Sequence, residues 1–172
     1  MLLPETIDFD GPFPRLSRRL RLGVVGGGRI SGMQATAARM TDRWEVVAGA
    51  FSSDPGRSKA AAGGWFLPED RCYRSFEAMA LAEAERPDGV DAVMITTPNH
   101  LHYASAKAFL EAGIDVLCDK PLTNEVAEAD DLVRLVDASG CVFGASGHCG
   151  GRFGTGAAVS GGRGHRLRGG GE

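Results

Sequence analysis

The sequence contains no run of about 18 consecutive apolar residues, the length a membrane-spanning helix needs. It begins "MLLPETIDFDGPFPRLSRRL", with prolines and acids where a secretory signal requires an unbroken apolar stretch. Aromatic residues make up only 7%, and the four cysteines, Cys72, Cys118, Cys141 and Cys149, show no C-x-x-C spacing. That scatter argues against a disulfide frame or a zinc site and fits reduced thiols in a cytoplasmic protein. There are four histidines, and His100-x-His102 has no third ligand in sight, so no metal is expected. Positive charge is also in deficit. The net charge is -3, and with the four arginines and one acid of the last 29 residues set apart, residues 1–143 carry 15 basic against 21 acidic groups. An acidic body argues against nucleic acid as a partner.

With 43% hydrophobic residues, the 172-residue chain can bury one real core. From about Arg21 short apolar runs alternate with helical patterns, the signature of a parallel sheet wound with helices. Strands are expected at "LRLGVVG" (20–26), "WEVVAGAF" (44–51), "GVDAVMITT" (89–97), "IDVLC" (114–118) and "CVFGA" (141–145), with the weakest at "RCY" (71–73). Helices are expected after Asp54-Pro55, after Ser75, from Asn99 to Gly113 and from Thr123 to Gly140. The expected fold is α/β, a Rossmann-type doubly wound parallel sheet of about six strands over 18–145, preceded by an extension at 1–17. From Gly144 onward 12 of 29 residues are glycine and no period survives. Residues 146–172 are therefore expected to be disordered. Out-of-frame translation of GC-rich DNA gives such sequence, and a frame shift near Gly144 is the reading favoured over an arginine/glycine-rich RNA-binding tail.

Four short stretches carry chemistry. In "GVVGGGRISG", Gly26, Gly28 and Ser31 stand where G-x-G-x-x-G/A places its small residues, with Arg29 and Ile30 in the helical turn between them. The first glycine permits a tight turn, the second lets a pyrophosphate approach the backbone, and the third small residue lets helix and strand pack closely. No lysine follows, which argues against a P-loop; the bland alternative is a structural turn. In "FSSDPGRS", small polar Ser52 and Ser53 with Arg57 nearby suit a ribose 2′-phosphate, so the cofactor reading is NAD(P) with a lean to NADP, while Asp54 has the place of a helix cap.

"TTPNHLHY" puts Thr97, Pro98, Asn99 and His102 at the carboxyl end of a central strand, the edge where such sheets bind ligands, although strand ending and helix capping would also account for it. "VLCDKPLT" puts Asp119, Lys120 and Pro121 on the same edge. A lysine projecting into that crevice can orient a substrate hydroxyl or pass a proton; the alternative is a solvated lysine in a turn. "YASAK" matches the Tyr-x-x-x-Lys of short-chain dehydrogenases through Tyr103 and Lys107, but their glycine pattern is absent and the pair follows the wrong strand, so Tyr103 is read as helix surface or packing.

Taken in order, "GVVGGGRISG", "TTPNHLH" and "CDKPL" resemble the motifs of the Gfo/Idh/MocA oxidoreductases, with Asp119 in place of the glutamate of their Glu-Lys-Pro signature. The resemblance covers about residues 18–145, the cofactor domain of such enzymes. It implies hydride transfer between NAD(P) and a sugar, polyol or related hydroxyl compound, with Lys120 as the active-site lysine and Pro98, Asn99 and His102 lining the cofactor cleft. Family members continue into a second domain that binds substrate and makes the oligomer interface, and this sequence shows no counterpart of it. A non-catalytic NAD(P)-binding module is therefore the competing expectation.

Overall fold

A computed structural model of the chain describes residues 16–146 together with the backbone of Val159 and Ser160. The elements are β1 (Leu20–Val25), α1 (Arg29–Met40), β2 (Trp44–Ala50), α2 (Pro55–Trp65), α3 (Phe76–Glu85), β3 (Ala92–Ile95), α4 (His102–Glu111), β4 (Asp115–Asp119), α5 (Val126–Ser139), β5 (Val142–Ser146) and β6 (Val159–Ser160). Two short 3-10 turns, Glu69–Arg71 and Asn99–Leu101, interrupt the connections. The sheet order is β2-β1-β3-β4-β5-β6. The first five strands are parallel, and β6 alone runs antiparallel, on the edge of β5. This is the Rossmann-like doubly wound architecture that the alternating pattern implies.

Alternation of side chains sorts the strand residues onto two faces. Val25, Val93, Ile95, Val116, Cys118 and Phe143 meet Met79 and Ala80 of α3, Phe109 and Leu110 of α4, and Leu132 and Val136 of α5. Leu22, Val24, Ala92 and Met94 turn the other way, toward Ala35 of α1 and Ala62 of α2. Each fully buried side chain of the size of Phe109 or Leu110 stabilises the fold by about 1.5–3 kcal/mol. On the α1/α2 side the cover given by the described residues stops at β3, and Leu117 of β4 and Val142 of β5 are 40% and 38% exposed.

Three expectations are corrected. "RCY" is not a strand: the 3-10 turn before it and the Ser75 cap of α3 after it leave room for a single parallel bridge, Gly49 with Cys72. Thr123 does not open α5, which starts at Val126, because its hydroxyl donates to Glu125 O at 2.9 Å and is spent locally. Asn99 does not open α4: it is the first residue of a 3-10 turn, and Leu101 takes the N-cap position of α4, with no side-chain cap bond. Asp54 and Ser75 do cap, accepting from Arg57 N at 2.8 Å and Ala78 N at 3.2 Å. The expected disorder after residue 145 concerns residues outside those described, apart from Ser146 in β5 and the β6 pair, which lie in the sheet.

Candidate functional site

The glycines of the first turn are there for different reasons. Gly26 has φ +105°, and a Cβ on it would lie 2.8 Å from Thr96 O, so the fold itself demands glycine. Gly28 has ordinary extended backbone at the N-cap of α1, and a Cβ on it would meet nothing within 4 Å. Its missing side chain serves no contact inside the protein; it leaves the N-terminus of α1 open to the cleft. No side chain caps that end and no acid stands in its first turn, so its N–H groups and dipole remain available to an anion. Ser31, fully buried, closes the turn from behind, donating to Gly26 O at 2.9 Å and sharing a 2.7 Å contact with Thr96 Oγ1. With Ala35 one turn later, Ser31 lets α1 approach the sheet closely.

This turn forms one wall of a cleft of about 680 Å³ along the carboxyl ends of β1, β2 and β3. Of the residues singled out in the sequence, Gly26, Gly28, Ser52, Ser53, Arg57, Thr97 and Pro98 line it. Thr97 Oγ1 is buried there without a hydrogen-bond partner among the described residues. An open glycine at a helix N-terminus and a polar atom without a partner both fit a phosphate-bearing nucleotide. The cleft also takes Phe51 and the run Arg74, Ser75, Phe76 and Glu77, which sequence reasoning missed as site residues. Ser75 was legible as a helix cap, but nothing in the sequence tells that the start of α3 lies beside the end of β2. A second cavity of about 430 Å³ adjoins the first and shares Ser52, Ser53 and Arg74 with it.

The remaining singled-out residues do not line the cleft. Arg29 and Ile30 are exposed on the first turn of α1, and Asn99 and Pro121 are exposed as well. His102, expected on the cleft wall, is instead 1% exposed inside the protein. Its ring places Nδ1 2.6 Å from Pro121 O and Nε2 2.8 Å from Thr97 O, tying the loop after β3 to the loop after β4. Lys120 is exposed just beyond β4, with its backbone N–H donating to Asp119 Oδ1 at 2.9 Å. The same oxygen accepts from Ser146 Oγ at 2.8 Å, so Asp119 anchors the Lys120 turn to β5. Beneath this turn burial, with a smaller effect of Asp119, pushes the Cys118 thiol up to about 12.

The model of the Gfo/Idh/MocA oxidoreductase family, described as an NAD-binding Rossmann fold, matches residues 20–146. The chain belongs to the Gfo/Idh/MocA family. An uncharacterised oxidoreductase of Bacillus subtilis is 38% identical over 75% of this chain and 34% of its own length. Inositol 2-dehydrogenase of Corynebacterium glutamicum is 32% identical over 71% of this chain and 33% of its own. Among solved structures, an inositol dehydrogenase homologue of Azotobacter vinelandii complexed with NAD+ superposes with a TM-score of 0.73 at 36% identity, covering 77% of this chain and 35% of that one. A further structure of such a homologue holds NADH and myo-inositol. The chain thus spans about a third of the length of the relatives it matches.

Family membership also disposes of the short-chain dehydrogenase alternative. Tyr103 and Lys107 meet Asp131 of α5 at 2.8 and 3.1 Å and so lock α4 to α5. The hydrogen bonds from Tyr103 and Lys107, with Arg134 adding a contact, pull the Asp131 carboxyl down to about 2. Among the described residues no helix is long and apolar enough to cross a membrane, and no group of three His, Cys, Asp or Glu side chains could hold a metal ion.

Proposed function

We propose that this chain is the cofactor-binding part of an NAD(P)-dependent oxidoreductase acting on a hydroxyl of a sugar, polyol or related compound. The observation that carries the reading is the cleft itself, in which Gly28 leaves the N-terminus of α1 open at the carboxyl ends of β1, β2 and β3. The nicotinamide, when bound, exchanges a hydride with the carbon that bears the substrate hydroxyl. Gly26 and Gly28 shape the turn that takes the pyrophosphate, and Thr97 and Pro98 wall the cleft farther along. Lys120, at the end of β4, is the residue to orient the substrate hydroxyl and hold its proton, while His102 and Asp119 fix the turn on which it stands. The likeness to inositol dehydrogenases supports a polyhydroxylated substrate.

The carboxyl end of β2 favours NADP. Ser52 and Ser53 stand where an acid would bind the ribose 2′-hydroxyl, and Asp54 is occupied in capping α2. Hydride transfer needs a substrate held against the nicotinamide in an oriented, enclosed site, which the described residues do not form by themselves. The purified chain is accordingly expected to bind NADP(H) and to turn over no sugar or polyol. Calorimetric titration with NADP+ and NAD+ tests the first half, and absence of heat with either would remove the cofactor reading. Turnover assays test the second half, and measurable turnover would mean that the active site is complete in this chain. In a full-length family member, Lys120→Ala at the matching position is expected to lower kcat far more than cofactor affinity; equal losses would take Lys120 out of the chemistry.

A further inference from the structure

Most described arginines are paired. Arg18 and Arg21 meet Asp91, Arg71 meets Glu83 and Asp88, Arg86 meets Asp70 and Asp88, and Arg134 meets Asp131. Arg57 and Arg74 differ. Both are exposed, both line the 680 Å³ cleft, and neither guanidinium has a hydrogen-bond or ion-pair partner among the described residues. Arg74 lines the 430 Å³ cavity as well, so that with Ser52 and Ser53 it forms the ridge between the two.

The position of Arg74 is built. The residue before it donates from its backbone, Tyr73 N to Gly49 O at 2.8 Å, and Cys72 bridges Gly49, three residues before Ser52. The residue after it, Ser75, caps α3. A buried ionic network fixes the segment from the side: Glu83, fully buried, accepts from Arg71 Nε at 3.1 Å, Arg71 Nη2 at 2.5 Å, Tyr73 Oη at 2.7 Å and Val90 N at 3.0 Å. Both carboxylate oxygens are saturated, which is what makes so deep a charge tolerable. A buried ion pair thus fixes the segment that presents an arginine whose guanidinium has no partner among the described residues. The carboxylates nearby are otherwise placed: Glu77 sits in the favourable first turn of α3, and Glu69, across the second cavity, pairs with Lys59 at 3.1 Å.

We infer that Arg74 is a specificity-determining residue: with Arg57, Ser52 and Ser53 it forms a subsite for a phosphate monoester on the adenosine ribose, and it decides between the 2′-phosphorylated and the unphosphorylated dinucleotide. Two guanidinium forks and two hydroxyls supply the charge-assisted donors a phosphate dianion requires. This inference rests on the nucleotide reading of the cleft and adds a residue from outside the β2 turn to it.

The test is calorimetric titration of the full chain and of Arg74→Gln and Arg74→Lys with NADP+, NAD+, 2′,5′-ADP and ADP, with circular dichroism to show that the exposed substitution leaves the fold intact. Arg74→Gln is expected to weaken NADP+ and 2′,5′-ADP by about tenfold or more, the loss of one charge-assisted contact, and to change NAD+ and ADP by less than about twofold. Arg74→Lys is expected to fall between, because it keeps the charge and loses the fork. Equal losses for both nucleotides, or an unchanged affinity for NADP+, would overturn the role of Arg74 and leave the cleft reading standing. If the unaltered chain binds neither nucleotide, the cleft reading falls and the inference with it.

Discussion

The end of β2 and the paired ends of β3 and β4 are opposite constructions on one sheet edge. At β2, Arg57 and Arg74 carry guanidinium groups without a partner among the described residues, and they line a cleft. At β3 and β4, His102 bonds to two loops at once and Asp119 Oδ1 takes two hydrogen bonds, so these two side chains are engaged within the protein. The two arginines are left facing the cleft, whereas His102 and Asp119 hold their loops still. Groups that bind a ligand are cheap to remove from the empty fold, whereas groups that position a loop are expensive, and substitutions should divide along that line.

The largest effect is expected at Glu83, which holds the Arg74 segment. Glu83→Ala leaves the buried Arg71 with only its longer contacts to Asp88 and should destabilise the chain by about 3–5 kcal/mol, seen as a large fall in the denaturant midpoint. A near-normal midpoint would mean that water satisfies Arg71 and that the segment is not clamped. Next comes His102→Ala, which removes a buried ring and its contacts to Thr97 O and Pro121 O, with an expected cost of about 2–4 kcal/mol. If instead stability held and only nucleotide affinity fell, His102 would belong with the binding region and the comparison would fail.

Gly28→Ala should behave in the reverse manner. Its Cβ has no neighbour and its φ is ordinary, so the denaturant midpoint should move by the equivalent of about 0.5–1 kcal/mol at most while dinucleotide affinity drops at least about tenfold. The smallest effect is a pH effect at Cys118. Its folded-state value, about 12, lies above the ordinary thiol value of 9.0, so the neutral form is favoured by folding. The associated stability is therefore full below about pH 9 and lost as the pH rises toward 12. Thiol labelling of the native protein at pH 8 should spare Cys118, and rapid labelling there would show that β4 opens.

Much of this architecture was readable beforehand because it rests on local rules. Alternating apolar runs placed five strands within a few residues, and Asp54 and Ser75 announced two helix starts through the hydrogen bonds their side chains make to the next turn. The first turn was legible as a glycine turn between a strand and a helix because its glycines follow the one and open the other. "RCY" misled because a cysteine and an aromatic in a short run between helical patterns read as strand whether or not there is room for a ladder. His102 misled for another reason: its motif marks the cleft edge, and only burial distinguishes a residue on the wall from one behind it.

The sequence by itself determined the class of fold, the glycine turn after β1 and the family, since each depends on residue types at short, fixed spacing. Tertiary structure alone decided which polar groups are spent and which are free. Arg71 and Arg74 are three residues apart and look alike in the sequence, yet one is buried against Glu83 and the other lines the cleft with no partner among the described residues. That difference arises from a bridge to Gly49 and a carboxylate 12 residues from Arg71. No local pattern encodes such long-range contacts, because they depend on where the chain returns in space.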